Sequence, residues 1–265
     1  MELYQLTILA LIQGITEFLP ISSSGHLVVA SKVLEWPDQG LTIDIALHFG
    51  TLGAVLVYFW RDLWKMLIGV SRVFIGESSQ DAKLALNLAL ATIPVAVLGF
   101  TAQDQVEAYF RSVEVVAWAT FGFGILLWVV DKMTLTIHRM EHLSISHSFF
   151  IGLAQLLSFI PGTSRAGITM TAGRLLNMER SDAARFSMLL SIPTVAGIAL
   201  FAGLNLYQQG NLTLQKEALI AVGLAFISGL IAITLMLRWL THASFTPFVI
   251  YRLFLGAFLI YWVYR

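Results

Sequence analysis

Pro20-Ile21-Ser22-Ser23-Ser24-Gly25 interrupts one apolar stretch, residues 4–30, and Pro161-Gly162-Thr163-Ser164-Arg165 interrupts another, residues 147–177. Proline removes a backbone donor and stops a helix, and clustered hydroxyl residues and glycine favour a loop. Each stretch therefore reads as two short helices joined by polar backbone. At membrane depth such a break is tolerated only inside protein or beside a wet cavity. Both stretches are predicted to be re-entrant hairpins that enter the bilayer and return to the same side. Six uninterrupted segments, roughly 43–60, 84–100, 112–130, 184–207, 217–240 and 247–264, are long and apolar enough to be full spans.

Composition agrees with a membrane protein. Hydrophobic residues make up 57% of the 265 positions and charged residues only 12%, about half the usual ~25% of soluble domains. The formal net charge is zero, which leaves no basic footprint for nucleic acid. Cysteine is absent, so disulfide and thiol chemistry are excluded. Met1-Glu2-Leu3 lacks the basic start of a cleaved signal peptide, and the N-terminus is expected to stay in the mature protein. No linker divides the chain, so residues 1–265 are read as a single membrane domain.

The two breaks look like copies. Phe18-Leu19-Pro20-Ile21-Ser22-Ser23 lines up with Phe159-Ile160-Pro161-Gly162-Thr163-Ser164 at an offset of 141 residues. Three full spans lie between the hairpins, and an odd number puts the second hairpin on the opposite side. The predicted fold is all-α, six transmembrane helices plus two re-entrant helical hairpins in an inverted-topology repeat, with repeats of roughly 1–110 and 145–245. In such repeats broken helices commonly meet near the midplane to form a site. One side then receives Arg61, Lys65, Arg72, Lys83, Lys132, Arg139, Arg174, Arg180, Arg185 and Arg238. The other receives Lys32, Arg111, Lys216 and Arg265. The richer side is expected in the cytoplasm, which places both termini outside and opens the first hairpin outward.

Ionisable groups within apolar segments cost roughly 2.5–3.5 kcal/mol on insertion scales and are functional candidates by default. Glu17 follows Gln13 by one helical turn, His26 follows the Ser-Gly break, and Arg165 stands in the second break. Free N–H groups at helix starts suit an anion, and a guanidinium matches phosphate oxygens bidentately. Ser22, Ser23, Ser24, Thr163 and Ser164 supply hydroxyl donors or a nucleophile. Glu17 and Gln13 are oxygen ligands for a hard cation such as Mg²⁺ or Ca²⁺, and His26 suits proton transfer near neutral pH. Together these residue types fit phosphoryl transfer on an amphiphilic substrate. Asp44 and His48, four apart at the entrance of the next span, are either further functional candidates or a pair bonded to each other, and Arg252 is expected to snorkel to the cytoplasmic face. Gly122/Gly124 and Gly223/Gly229 permit a homodimer.

At these residues the chain resembles the bacterial undecaprenyl-diphosphate phosphatases, the bacitracin-resistance family of integral membrane phosphatases. The matching motifs are Gln13-Gly14-Ile15-Thr16-Glu17-Phe18-Leu19-Pro20-Ile21-Ser22-Ser23-Ser24-Gly25-His26 and Pro161-Gly162-Thr163-Ser164-Arg165-Ala166-Gly167. Similarity continues through residues 44–51 and Pro247-Phe248-Val249-Ile250-Tyr251-Arg252. The resemblance implies hydrolysis of a C55 lipid diphosphate to the monophosphate in the bacterial inner membrane, recycling the carrier used for peptidoglycan. It implies Glu17 as the key carboxylate and metal ligand, with Gln13 beside it where some members carry Glu. By the same resemblance Ser23 is the nucleophile, His26 the acid or base, and Arg165 the phosphate clamp. Ala166 stands where the family often has Ser. A lipid-phosphate flippase using the same midplane site is the competing expectation, because inverted repeats with broken helices also build carriers.

Overall fold

The computed structural model describes residues 2–36, 40–110, 112–208 and 216–265; Arg111 of the orientation argument lies outside them. The first apolar stretch forms α1 (Leu3–Phe18) and α2 (Ser23–Val28), the latter continued by a wider turn over Val29–Val33. Five helices are long and apolar enough to cross a bilayer: α5 (Gln80–Phe110), α6 (Val113–Met133), α9 (Arg180–Gln208), α10 (Lys216–Leu240) and α11 (Thr246–Tyr264). The sixth candidate span is a bent pair, α3 (Gly40–Tyr58) and α4 (Trp60–Val73), which meet at 72°. The second broken stretch forms α7 (Ile145–Gln155), a tight turn over Leu156–Phe159, and α8 (Arg165–Leu175). The chain is a multi-pass, all-α membrane protein.

Both breaks use the same backbone device. Ser22 (φ 71°, ψ 97°) caps α2 and Ser164 (φ 69°, ψ 113°) caps α8, each in a left-handed region that L-residues seldom adopt. Each Oγ accepts a helix N–H three residues on, from Gly25 at 3.3 Å and from Gly167 at 3.1 Å. These bonds satisfy an orphan donor of the first turn. They also correct the register read from sequence. Pro20 and Pro161 match at an offset of 141, but Ser22 matches Ser164 and Gly25 matches Gly167, an offset of 142. The second break holds one extra residue, so Arg165, and not Ser164, is the counterpart of Ser23.

Gly162 helps the second break make its longer path. Its φ is 97°, and a Cβ there would sit 2.4 Å from the Val116 carbonyl oxygen. Gly162→Ala is expected to cost about 1–3 kcal/mol, seen as a lower midpoint of thermal unfolding in detergent. An unchanged midpoint would contradict this backbone reading.

The hairpins cross between the two halves of the fold. α1 packs on α10 and α7 packs on α5. Each crossing uses glycine to let backbones approach. A Cβ on Gly14 would lie 2.6 Å from the Ala225 carbonyl, and one on Gly152 would lie 2.4 Å from the Ala91 carbonyl. α6 and α11 pack on one another beside the breaks. The glycine pairs expected at a dimer face divide. Gly124 abuts Arg252 and Gly229 abuts Ala54 and Phe18, whereas Gly122 and Gly223 meet open space.

The end of the fold rich in basic residues is fastened by ion pairs. Asp131 Oδ1 accepts from Arg174 Nε at 3.1 Å and from Arg180 Nε at 2.7 Å. Arg174 is fully buried and also donates to the Thr134 carbonyl and Thr136 hydroxyl, and to the Met178 carbonyl. Arg185 pairs with Asp62, tying α9 to α4. Arg174 and Arg180 therefore serve the joint between α6, α8 and α9.

Candidate active site

The two breaks come together through one ion pair. Arg165 Nη2 donates to Glu17 Oε1 at 2.7 Å, across 148 residues of chain. Glu17 lies in the last turn of α1 and Arg165 is the first residue of α8. Both are largely buried, at 9% and 15% side-chain exposure. The other carboxylate oxygen, Oε2, accepts from Gln13 Nε2 at 2.9 Å and from Ser23 Oγ at 3.4 Å. Gln13, Glu17, Ser23 and Arg165 thus form one connected group built from both hairpins.

One donor in this group and one in the adjoining second break remain unmatched. Arg165 Nη1 and Thr163 Oγ1 are buried and have no hydrogen-bond partner among the described residues. An unmatched buried donor costs about 1–3 kcal/mol, which a ligand oxygen would recover. Ser22 and Ser164 are placed at the same breaks, with their oxygens already engaged as helix caps. The side chain of Ser24 lies outside the described residues.

His26 is placed differently. Its Nδ1 lies 2.7 Å from the Ser22 carbonyl and its Nε2 lies 2.6 Å from the Tyr251 hydroxyl. The group that receives the Ser23 hydroxyl is Glu17, while His26 turns to α11. His48 Nδ1 lies 2.7 Å from the Asp44 main-chain carbonyl, a bond within α3 that involves none of the four connected residues.

Arg252 overturns an expectation. Instead of snorkelling to an aqueous face it is fully buried in α11. Its guanidinium donates to the carbonyls of Gly162 at 3.0 Å, Thr120 at 3.1 Å, Pro20 at 3.4 Å and Ala119 at 3.5 Å. Pro20 belongs to the first break, Gly162 to the second, and Ala119 and Thr120 to α6. One side chain therefore holds both breaks against one span. The signal was present in the sequence, since an arginine seven residues into an apolar 19-residue helix meets the same cost as Glu17 or Arg165. Tyr251 carried no comparable signal.

The donor set also bears on a cation. One carboxylate, one amide oxygen and several hydroxyls are hard ligands, suited to Mg²⁺ or Ca²⁺. Among the described residues no cluster of three acidic or histidine groups could hold an ion unaided. These oxygens are chemically compatible with a cation that would take its remaining ligands from phosphate oxygens.

Residues 6–258 match the family described as Bacitracin resistance protein BacA. The chain belongs to the BacA family. Undecaprenyl-diphosphatase 1 of Rhodospirillum rubrum is 45% identical, covering 98% of this chain and 95% of the relative. Undecaprenyl-diphosphatase of Alteromonas mediterranea is 43% identical over the full length of both chains. That of Alcanivorax borkumensis is 45% identical over 99% of this chain and all of its own. The BacA match reaches from within α1 to within α11, so the cross-hairpin group lies wholly in the shared region.

Proposed function

We propose that this BacA-family chain is a membrane phosphatase that hydrolyses undecaprenyl diphosphate to undecaprenyl phosphate and inorganic phosphate. The observation that carries the reading is the cross-hairpin group, in which a nucleophile, a carboxylate and a guanidinium meet and two buried donors lack acceptors. A terminal phosphate supplies those acceptors. Its oxygens take Arg165 Nη1, the Thr163 hydroxyl and the N–H groups that open α8, beside the caps Ser22 and Ser164. Such prepaid electrostatic stabilisation is the main catalytic term in phosphoryl transfer.

Ser23 attacks the terminal phosphorus, or orients the water that does. Its proton moves to Glu17 Oε2, the acceptor it already faces. Undecaprenyl phosphate departs as the bridging P–O bond breaks. When Ser23 is the nucleophile, water then releases phosphate from it, and His26 takes the proton of that water. A divalent cation, Mg²⁺ or Ca²⁺, would be held by Glu17 and Gln13 with the substrate's phosphates, and when bound it withdraws charge from the phosphoryl group.

The site would face the outer side of the bacterial cytoplasmic membrane, a reading supported by the distribution of basic residues. Released monophosphate is then recycled as the lipid carrier for cell-wall synthesis, the activity that would confer bacitracin resistance. A homodimer would form on Gly122 and Gly223, whose outer faces are open.

Phosphate release from undecaprenyl diphosphate by detergent-purified protein, with and without EDTA, tests the cation. Release is expected to fall at least about tenfold in EDTA, given the several kcal/mol a Lewis acid supplies, and to return with Mg²⁺ or Ca²⁺. Full activity in EDTA would remove the cation and leave Arg165 as the sole charge on the phosphate.

A further inference from the structure

His26 and Tyr251 form a unit that the cross-hairpin group does not explain. A carbonyl oxygen can only accept, so the contact of Nδ1 with the Ser22 carbonyl at 2.7 Å fixes the neutral imidazole as its Nδ1–H tautomer. The lone pair then lies on Nε2, and the Tyr251 hydroxyl 2.6 Å away must donate to it. The two rings lie parallel, 4° apart in plane with centroids 5.5 Å apart. Ser22 supplies the carbonyl from the cap of α2, and the phenol comes from α11. The only basic atom of His26 is thus covered by a hydroxyl from another helix.

We propose that Tyr251 is a positioning residue for His26, holding its tautomer and ring plane and carrying its proton. The proposal rests on the phosphatase reading. A water proton that reaches the phenol oxygen is matched by the phenol proton moving to Nε2. The result is an imidazolium and a neutral phenol, with no net change at Tyr251. Reversal of the same two shifts returns the proton to solvent. Arg252, the next residue, anchors α11 to both breaks, so the phenol is held in register with them.

Tyr251→Phe keeps the stacked ring and deletes only the hydroxyl. The test measures kcat and KM on undecaprenyl diphosphate for the wild type, Tyr251→Phe, His26→Ala and the double variant, beside the side-chain ¹⁵N spectrum of His26. The expected result is a kcat lower by about 10- to 100-fold, within the span of one proton-transfer contribution, with KM within about twofold of wild type. The Nε2 resonance is expected to move, and the double variant to be no slower than His26→Ala. Wild-type kcat in Tyr251→Phe, an unmoved Nε2 resonance, or a further loss in the double variant would each overturn the proposal. The ¹⁵N spectrum needs no turnover. A wild-type protein that releases no phosphate would therefore count against the phosphatase reading, while the spectrum still decides whether Tyr251 holds His26.

Discussion

Arg165→Ala is expected to lower phosphate release by about 10³-fold or more, the scale seen when a single arginine leaves the transferring phosphoryl group. The size follows from two tasks placed on one guanidinium. Nη2 holds the Glu17 carboxylate of the opposite hairpin, and Nη1 is buried with no partner among the described residues. Removing the side chain deletes a phosphate ligand and frees the carboxylate that faces Ser23. Arg165→Lys is not expected to rescue activity, because one ammonium cannot reproduce a planar fork with two acceptors. The single variant also strands a largely buried carboxylate, which costs stability. Glu17→Gln combined with Arg165→Met removes both charges and separates the two effects. That double variant should insert and unfold near the wild-type midpoint, yet release no phosphate. Near-normal turnover in Arg165→Ala would end the assignment of this residue to the phosphate.

Arg252→Met should be nearly as damaging, though Arg252 is given no contact with substrate. Four carbonyls lose their donor at once, each bond to a charged group being worth about 1.5–3 kcal/mol at most. Part of that loss is recovered by local rearrangement, so a net destabilisation of about 2–4 kcal/mol is expected. The larger consequence is geometric. Pro20 and Gly162 lie two residues before the caps Ser22 and Ser164, so the guanidinium sets how the starts of α2 and α8 face one another. A shift of about 1 Å between Ser23 and Arg165 is enough to cost about 10²-fold in rate. Arg252→Met is therefore expected to lose about 10²-fold in kcat, and Arg252→Lys to regain part of it by reaching some of the carbonyls. Unchanged kcat and unchanged thermal midpoint in Arg252→Met would show that the breaks keep their places without this clamp.

The hairpins and spans were legible in sequence because proline, serine and glycine stand out in an apolar chain. Pro20 and Pro161 announce the breaks whatever surrounds them. The register across the second break was not legible, since the extra residue shows only as the positive φ of Gly162. Helix α4 also escaped notice. Arg61, Asp62, Lys65 and Arg72 lower its mean hydropathy, while Trp60, Trp64 and Leu67 remain exposed on its surface. It passes as apolar enough to cross only together with α3, to which it is joined at the 72° bend.

The site divides along similar lines. Gln13, Glu17, Ser23 and Arg165 each stood out because a polar group inside an apolar segment needs a reason. Their meeting depends on helix crossings at Gly14 and Gly152 that no local pattern reveals. His26 was found, but its partner was not, because a tyrosine in a membrane helix is unremarkable by composition. Arg252 was visible and misplaced, since Arg238 lies in α10 and His242 in the turn before α11, whereas Arg252 sits seven residues inside α11.

The most direct test of the account is the stoichiometry of products from undecaprenyl diphosphate in proteoliposomes, with wild type beside Arg165→Ala. One undecaprenyl phosphate is expected for each inorganic phosphate from the wild type, and neither from the variant. Lipid diphosphate that crosses the bilayer intact, with no phosphate released by wild type, would contradict it and leave a lipid-phosphate carrier in its place.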